Sequence, residues 1–127
     1  MAQPRNGWAE QDPEDWWRAV QAGVAALFAR TDTTPAEIAG VGLSGQMHGL
    51  VMLDEKGAVL RRSIIWADQR TARECEQMNR VIGAQRVIEL TANPPMTGFT
   101  APQILWVQNN EPAVYEPSLL HLCRCRR

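Results

Sequence analysis

Lysine is almost missing from this 127-residue chain: Lys56 stands alone against twelve arginines spread along the sequence. The near-balance of charge, −1 overall, leaves no general attraction to nucleic acid or to an anionic membrane, and neither partner is expected. No apolar run approaches the ~18 residues that a membrane-spanning helix needs. The opening MAQPRNGWAEQDPEDWW has no apolar h-region, so a secretory signal is not expected and the reading is cytoplasmic. Cysteine is scarce and odd in number, at three, which argues against a disulfide framework. Cys123, Cys125 and His121 lie close together, but a structural zinc needs four ligands, and no metal site is expected. Internal repeats and low-complexity tracts are lacking too. What is present is ordinary globular usage, 45% apolar and 21% charged, in a length that suits one modest domain.

The first element is a helix from Pro13 to Arg30. Asp12 suits the N-cap, Pro13 the first helical position, and Glu14 and Asp15 the positive end of the helix dipole. Trp16, Val20, Val24 and Leu27 recur at helical spacing, widened by Trp17 and Phe28, and this stripe is expected to pack into the core. Residues 38–44 alternate as a strand, with Val41 and Leu43 set between Gly40, Gly42 and Ser44. Glycine weakens a strand, so close approach of another backbone is expected there. Leu50–Leu53 and Ala58–Leu60 read as hairpin strands around the turn Asp54–Gly57, and Ile64–Trp66 as a further short strand. From Asp68 the period becomes helical to about residue 82, with Ala72, Cys75, Met78 and Ile82 on one face. Ala84–Leu90 and a segment opened by Pro102 and closed by Glu111-Pro112 are two further helices. The order predicts an α/β domain with a mixed sheet and flanking helices.

Three segments concentrate residues able to do chemistry. Ser44-Gly45-Gln46-Met47-His48-Gly49 leaves a strand end, where ligand crevices of open α/β sheets lie. Gln46 and His48 both donate and accept hydrogen bonds, which suits a polyol, and Met47 offers an apolar wall. The same residues fit a tight turn with polar surface side chains, and their types leave both readings open. In Trp66-Ala67-Asp68-Gln69-Arg70, Trp66 offers a flat face to a sugar, Asp68 a helix N-cap, and Arg70 a partner for Asp68 or an anion. A buried tryptophan beside a locally paired cap is the plainer alternative. The third segment is Gly98-Phe99-Thr100-Ala101-Pro102-Gln103-Ile104-Leu105-Trp106, a turn and helix start.

In this order the segments resemble the FGGY family of carbohydrate kinases, and within it the xylulokinase branch. Gly7 to Trp17 resembles the stretch before the family's first long helix. Gly42 to Gly49 resembles the sugar-binding turn of that branch, Ile65 to Arg70 its W-x-D-x-R element, and Gly98 to Asn110 the first family signature, with Gln103 in place of the usual Lys. The resemblance spans about residues 7 to 112. It implies a partial ribonuclease H-like (actin-like ATPase) fold and transfer of phosphate from ATP, with Mg2+, to a sugar hydroxyl, D-xylulose or a related pentulose. It carries Met47 and His48 over as sugar-binding residues, with Gln46 and Trp66 beside them and Asp68 and Arg70 as pocket support. No catalytic residue carries over. The family's Asp-x-Gly-Thr phosphate loop occurs nowhere in this sequence, and no residue matches its downstream catalytic Asp.

The expectation is therefore a partial kinase N-terminal domain over residues 1–115, lacking its first strand hairpin. Residues 116–127 form an atypical tail with the composition of a frameshift or truncation. On this reading the chain carries part of the sugar site and is inactive alone. A non-catalytic sugar-binding module completed by a companion chain is the alternative, and a stand-alone domain with coincidental motifs is a third. A first helix short of sheet partners and exposed sheet edges imply self-association.

Overall fold

The structure, a computed structural model, describes residues 1–118. Strand β1 (Glu10–Gln11) leads into helix α1 (Pro13–Arg30). A single turn of tight helix at Pro35–Glu37 and a long irregular stretch follow before β2 (Ser63–Ile64). Helices α2 (Ala72–Ile82), α3 (Ala84–Thr91), α4 (Thr100–Asn110) and α5 (Pro112–Tyr115) complete the described chain. The helix boundaries follow from local chemistry. Asp12 accepts from the Glu14 N–H at the start of α1, as the sequence predicts. Gly83, at φ +93°, separates α2 from α3, and Glu111 with Pro112 ends α4 and starts α5.

The sheet is smaller than the mixed sheet expected. Among the described residues β1 pairs antiparallel with β2, Glu10 opposite Ile64 and Gln11 opposite Ser63. Isolated antiparallel bridges at Ala2–Glu10, Leu50–Ile64 and Leu53–Val59 extend it. The two hairpin segments around 50–60 are thus reduced to bridges. The turn between them is as expected: Asp54 Oδ1 accepts from Lys56 and Ala58, and Gly57 sits at φ +80°. Strand β1, which the sequence reading did not anticipate, forms because the Ala2 and Ile64 backbones sandwich Glu10.

Two further expectations fail. Residues 38–44 form no strand. Leu43 is 96% exposed, and a Cβ built on Gly40, Gly42 or Gly45 would meet nothing within 4 Å, so no backbone approaches there. Helix α1 contains no buried residue, and Trp17, Val20, Val24 and Leu27 lie open instead of packing into a core. The sheet face that such a stripe normally covers is not present among residues 1–118.

The core lies elsewhere. Leu50, Met52 and Ile64 meet Trp106 and Val107 of α4, with Trp8, Leu60, Ile104, Val114 and Tyr115 packed around them. Helix α2 packs against both α3 and α4 beside this cluster. No helix among the described residues is long and apolar enough to cross a membrane.

Candidate functional site

Residues 63–70 form the hub of the site, and side chains alternate along them between a buried support and an open cleft. Ile64 and Ile65 are buried. Trp66 turns outward, Asp68 is fully buried, Gln69 faces out, and the Arg70 side chain is again enclosed.

On the buried side Asp68 does not cap a long helix as expected; α2 begins only at Ala72, after Thr71. Its carboxylate instead fastens two distant parts of the chain. Oδ2 accepts from the Ala9 N–H at 2.6 Å, and Oδ1 accepts from the Arg70 N–H at 2.8 Å. The Arg70 guanidinium grips the same carboxylate, Nε at 2.9 Å from Oδ1 and Nη2 at 2.7 Å from Oδ2. Its Nη1 lies 2.9 Å from Glu10 Oε1, a charge contact without hydrogen-bond alignment. Arg61 reaches Glu10 at 2.8 Å and Glu111 at 2.7 Å, extending the chain of charges. The guanidinium plane of Arg70 also stacks 3.7 Å from the centre of the Trp8 ring and 4.9 Å from that of Trp106. Only arginine can make the planar stack and the forked carboxylate contact together.

On the open side the three chemistry-bearing segments meet. A cleft of about 920 Å³ is lined by residues 45–48, by Trp66, Ala67 and Gln69, and by residues 96–99. Gln46, Met47, His48 and Trp66, the four residues expected to touch a sugar, all lie on it. Trp66 is 59% exposed, so the plainer alternative of a buried tryptophan does not hold. Asp68 and Arg70 do not line the cleft; they sit beneath it. The His48 ring stacks on Phe99 with centroids 4.3 Å apart, and its backbone lies at φ +62°, a left-handed conformation seldom adopted outside glycine and asparagine. Thr100 Oγ1 donates to the His48 carbonyl at 3.2 Å and holds that turn against α4. Gln46 Nε2 donates to Gln11 Oε1, which also accepts from the Trp16 indole.

Met96 and Thr97 lie outside the three segments, and Gln69 and Phe99 lie inside them without a role assigned from sequence. Thr97 Oγ1 donates to Gln69 Oε1 at 3.1 Å, and Thr71 Oγ1 donates to the Thr97 carbonyl at 2.9 Å, so residues 96–99 are tied to the hub. The crowding of glycine, aromatic and hydroxyl residues at Gly98-Phe99-Thr100 was the available signal. Gly98 closes the arrangement. A Cβ there would lie 2.2 Å from the Trp66 carbonyl oxygen, so the two walls touch backbone to backbone.

The cleft lining holds no Arg, Lys, Asp or Glu. It suits an uncharged hydroxylated ligand, with indole, thioether and phenyl surfaces for C–H faces and amide, imidazole and hydroxyl groups for hydroxyls. No group of three or more His, Cys, Asp or Glu among the described residues is placed to hold a metal. The Cys123, Cys125 and His121 cluster lies outside the described residues. Partial burial pushes the Cys75 thiol above its ordinary value, which keeps it protonated and a poor nucleophile at neutral pH.

The chain belongs to the FGGY family of carbohydrate kinases, whose N-terminal domain model matches residues 1–122. It is 43% identical over 115 residues to a xylulose kinase of Klebsiella pneumoniae, covering 91% of this chain and 23% of that protein. A xylulose kinase of Bacillus subtilis is 37% identical over 122 residues, covering 96% of this chain and 24% of the relative. Among solved structures, a xylulose kinase from Brucella ovis superposes with a TM-score of 0.85 at 38% identity, covering 92% of this chain and 24% of the other. The chain thus spans about a quarter of the length of the relatives it matches. The expected fold holds at the coarser level: this is a partial α/β domain of the FGGY sugar-kinase type, with a two-stranded sheet where a mixed one was expected.

The family implies use of ATP, and Mg2+ is typical of its chemistry. The residues of this cleft do not fit that group. A triphosphate with its metal calls for cationic donors and free carboxylates. The cleft offers neither, and the Asp68 carboxylate beneath it is taken up by Arg70 and Ala9.

Proposed function

We propose that residues 45–48, Trp66, Ala67, Gln69 and residues 96–99 form one wall of the sugar site of an ATP-dependent kinase acting on D-xylulose or a related pentulose. The chain supplies sugar recognition without the phosphoryl-transfer groups. The observation that carries this reading is the convergence of three separated segments on one uncharged cleft containing Gln46, Met47, His48 and Trp66. Chain relatives named xylulose kinase support the choice of sugar.

In this reading Trp66 covers the apolar face of the sugar, and His48 and Gln46 hydrogen-bond its hydroxyls. The Phe99 stack and the left-handed turn set the direction of the imidazole. Phosphoryl transfer depends on positioning and on electrostatic stabilisation by a phosphate loop and metal. This sequence has no Asp-x-Gly-Thr loop. The chain alone is therefore inactive as a kinase. Its sugar affinity is low, because two or three neutral hydrogen bonds of ~0.5–1.5 kcal/mol each barely reach the ~4 kcal/mol of millimolar binding.

The test is a thermal unfolding scan of the 127-residue chain with D-xylulose, and separately with ATP and Mg2+. Sugar at ten times its Kd adds about 1.4 kcal/mol and raises the midpoint, whereas nucleotide leaves it in place. His48→Gly, which keeps the left-handed turn and removes the ring, abolishes the sugar shift. A shift with ATP–Mg2+ and none with D-xylulose overturns the reading.

A further inference from the structure

The contact of Gly98 with the Trp66 carbonyl joins the second and third segments of the cleft without any strand pairing to hold it. Gln103, in the first turns of α4, is placed to do so. Its side chain is fully buried, and its single amide nitrogen faces both walls: Nε2 is 3.3 Å from the Gly98 carbonyl and 3.5 Å from the carbonyl of Ile65, the residue before Trp66. The Gly98 carbonyl needs this donor. Pro102, four residues on, has no N–H to offer, and the Gln103 backbone N–H goes to Phe99. The side-chain Oε1, by contrast, is buried with no hydrogen-bond partner, which is unfavourable. A methionine would fill the same volume without that cost. The contribution of the amide therefore lies in its nitrogen.

We infer that Gln103 is a positioning residue for the sugar wall: its amide N–H groups clamp the Ile65–Trp66 segment to Gly98 and so fix the direction of the Trp66 ring. It touches no ligand itself, since it does not line the cleft. The role as a sugar clamp rests on the reading under Proposed function; the clamping of Trp66 does not.

The experiment compares wild type, Gln103→Met and Gln103→Lys in the 127-residue chain. Gln103→Met keeps the volume and removes the donor; Gln103→Lys restores a donor. Two readouts are taken: the indole N–H resonance of Trp66 without sugar, assigned with Trp66→Phe, and the Kd for D-xylulose. Gln103→Met is expected to move the Trp66 resonance and weaken D-xylulose about 2- to 10-fold, the range one neutral hydrogen bond spans. Gln103→Lys returns both towards wild type. The inference is overturned if Gln103→Met leaves the Trp66 resonance in place, or if Gln103→Lys moves it as far as methionine does. Should the methionine variant not fold, a wild-type Trp66 resonance in Gln103→Lys supports the clamp and a displaced one overturns it. Absence of D-xylulose binding by the wild type overturns the sugar reading, while the sugar-free resonance still decides the clamp.

Discussion

Two stretches of this molecule, one strongly patterned and one not, meet opposite fates. Residues 13–47 hold an apolar stripe at clean helical spacing and a glycine-alternating segment, yet α1 buries nothing and every residue from 31 to 47 is exposed. Residues 63–71 have no comparable periodicity, yet Ser63, Ile64, Ile65, Asp68 and Thr71 are all buried. The difference is one of partners. A periodic stripe states which face is apolar and leaves open what covers it. The buried stretch is held by particular groups at particular distances: the Ala9 N–H on Asp68, Arg70 between two indoles, and Glu10 between two arginines.

That contrast can be broken most forcefully at Asp68. Asp68→Ala leaves Arg70 buried without its main counter-charge and the Ala9 N–H without an acceptor, and is expected to cost about 3–5 kcal/mol. Chemical denaturation measures it, and a loss below one kcal/mol would show the network to be incidental. Gly98→Ala is next. Its new methyl would lie 2.2 Å from the Trp66 carbonyl, so the backbone must shift, at a cost of about 1–3 kcal/mol. Because the displaced atoms are the cleft walls, D-xylulose binding is expected to fall further than stability alone would require, read by titration beside a melt. The smallest effect belongs to the open region. Leu27→Gln on α1, at a side chain 54% exposed, should change stability by no more than about 0.5 kcal/mol while reducing concentration-dependent association. Sedimentation and a melt of the same sample separate the two, and a loss of several kcal/mol would mean that α1 is covered in solution.

The legible parts of the sequence were those governed by neighbours in the chain. Asp12 and Pro13 state where α1 begins, Glu111-Pro112 where α4 ends, and Asp54 to Gly57 where the chain turns, because caps and turns are made by residues two to four positions apart. Gln46, Met47, His48 and Trp66 were each picked out by residue type and by resemblance, and the fold places all four on one cleft, although the strand at 38–44 that was to position the first three does not form. The companions Met96, Thr97 and Phe99 were not, since only the fold brings residues 96–99 against residue 66. Glycine shows the limit most plainly. Close backbone approach was expected at Gly40 and Gly42, inside an apparent strand, and occurs at Gly98, inside a turn. A missing Cβ permits an approach, and the partner that uses it is a tertiary fact. The mixed sheet failed for the same reason: alternation at 38–44 has no neighbouring strand among the described residues to pair with.

The hydrogen bond from Ala9 to Asp68 also has a kinetic side. It spans 59 residues, and closing a flexible loop of that size costs roughly 3–4 kcal/mol of chain entropy by the (3/2)RT ln n relation. The turn at residues 54–57 and the contacts among α2, α3 and α4 are far more local and are free to form first. On this ground the opening residues are expected to dock last, as a latch on an assembled body. Helix α1 lies wholly inside the closing loop and, once formed, stiffens 18 of its residues. Its contribution to this chain is thus one of reach: it governs how readily the latch finds its catch.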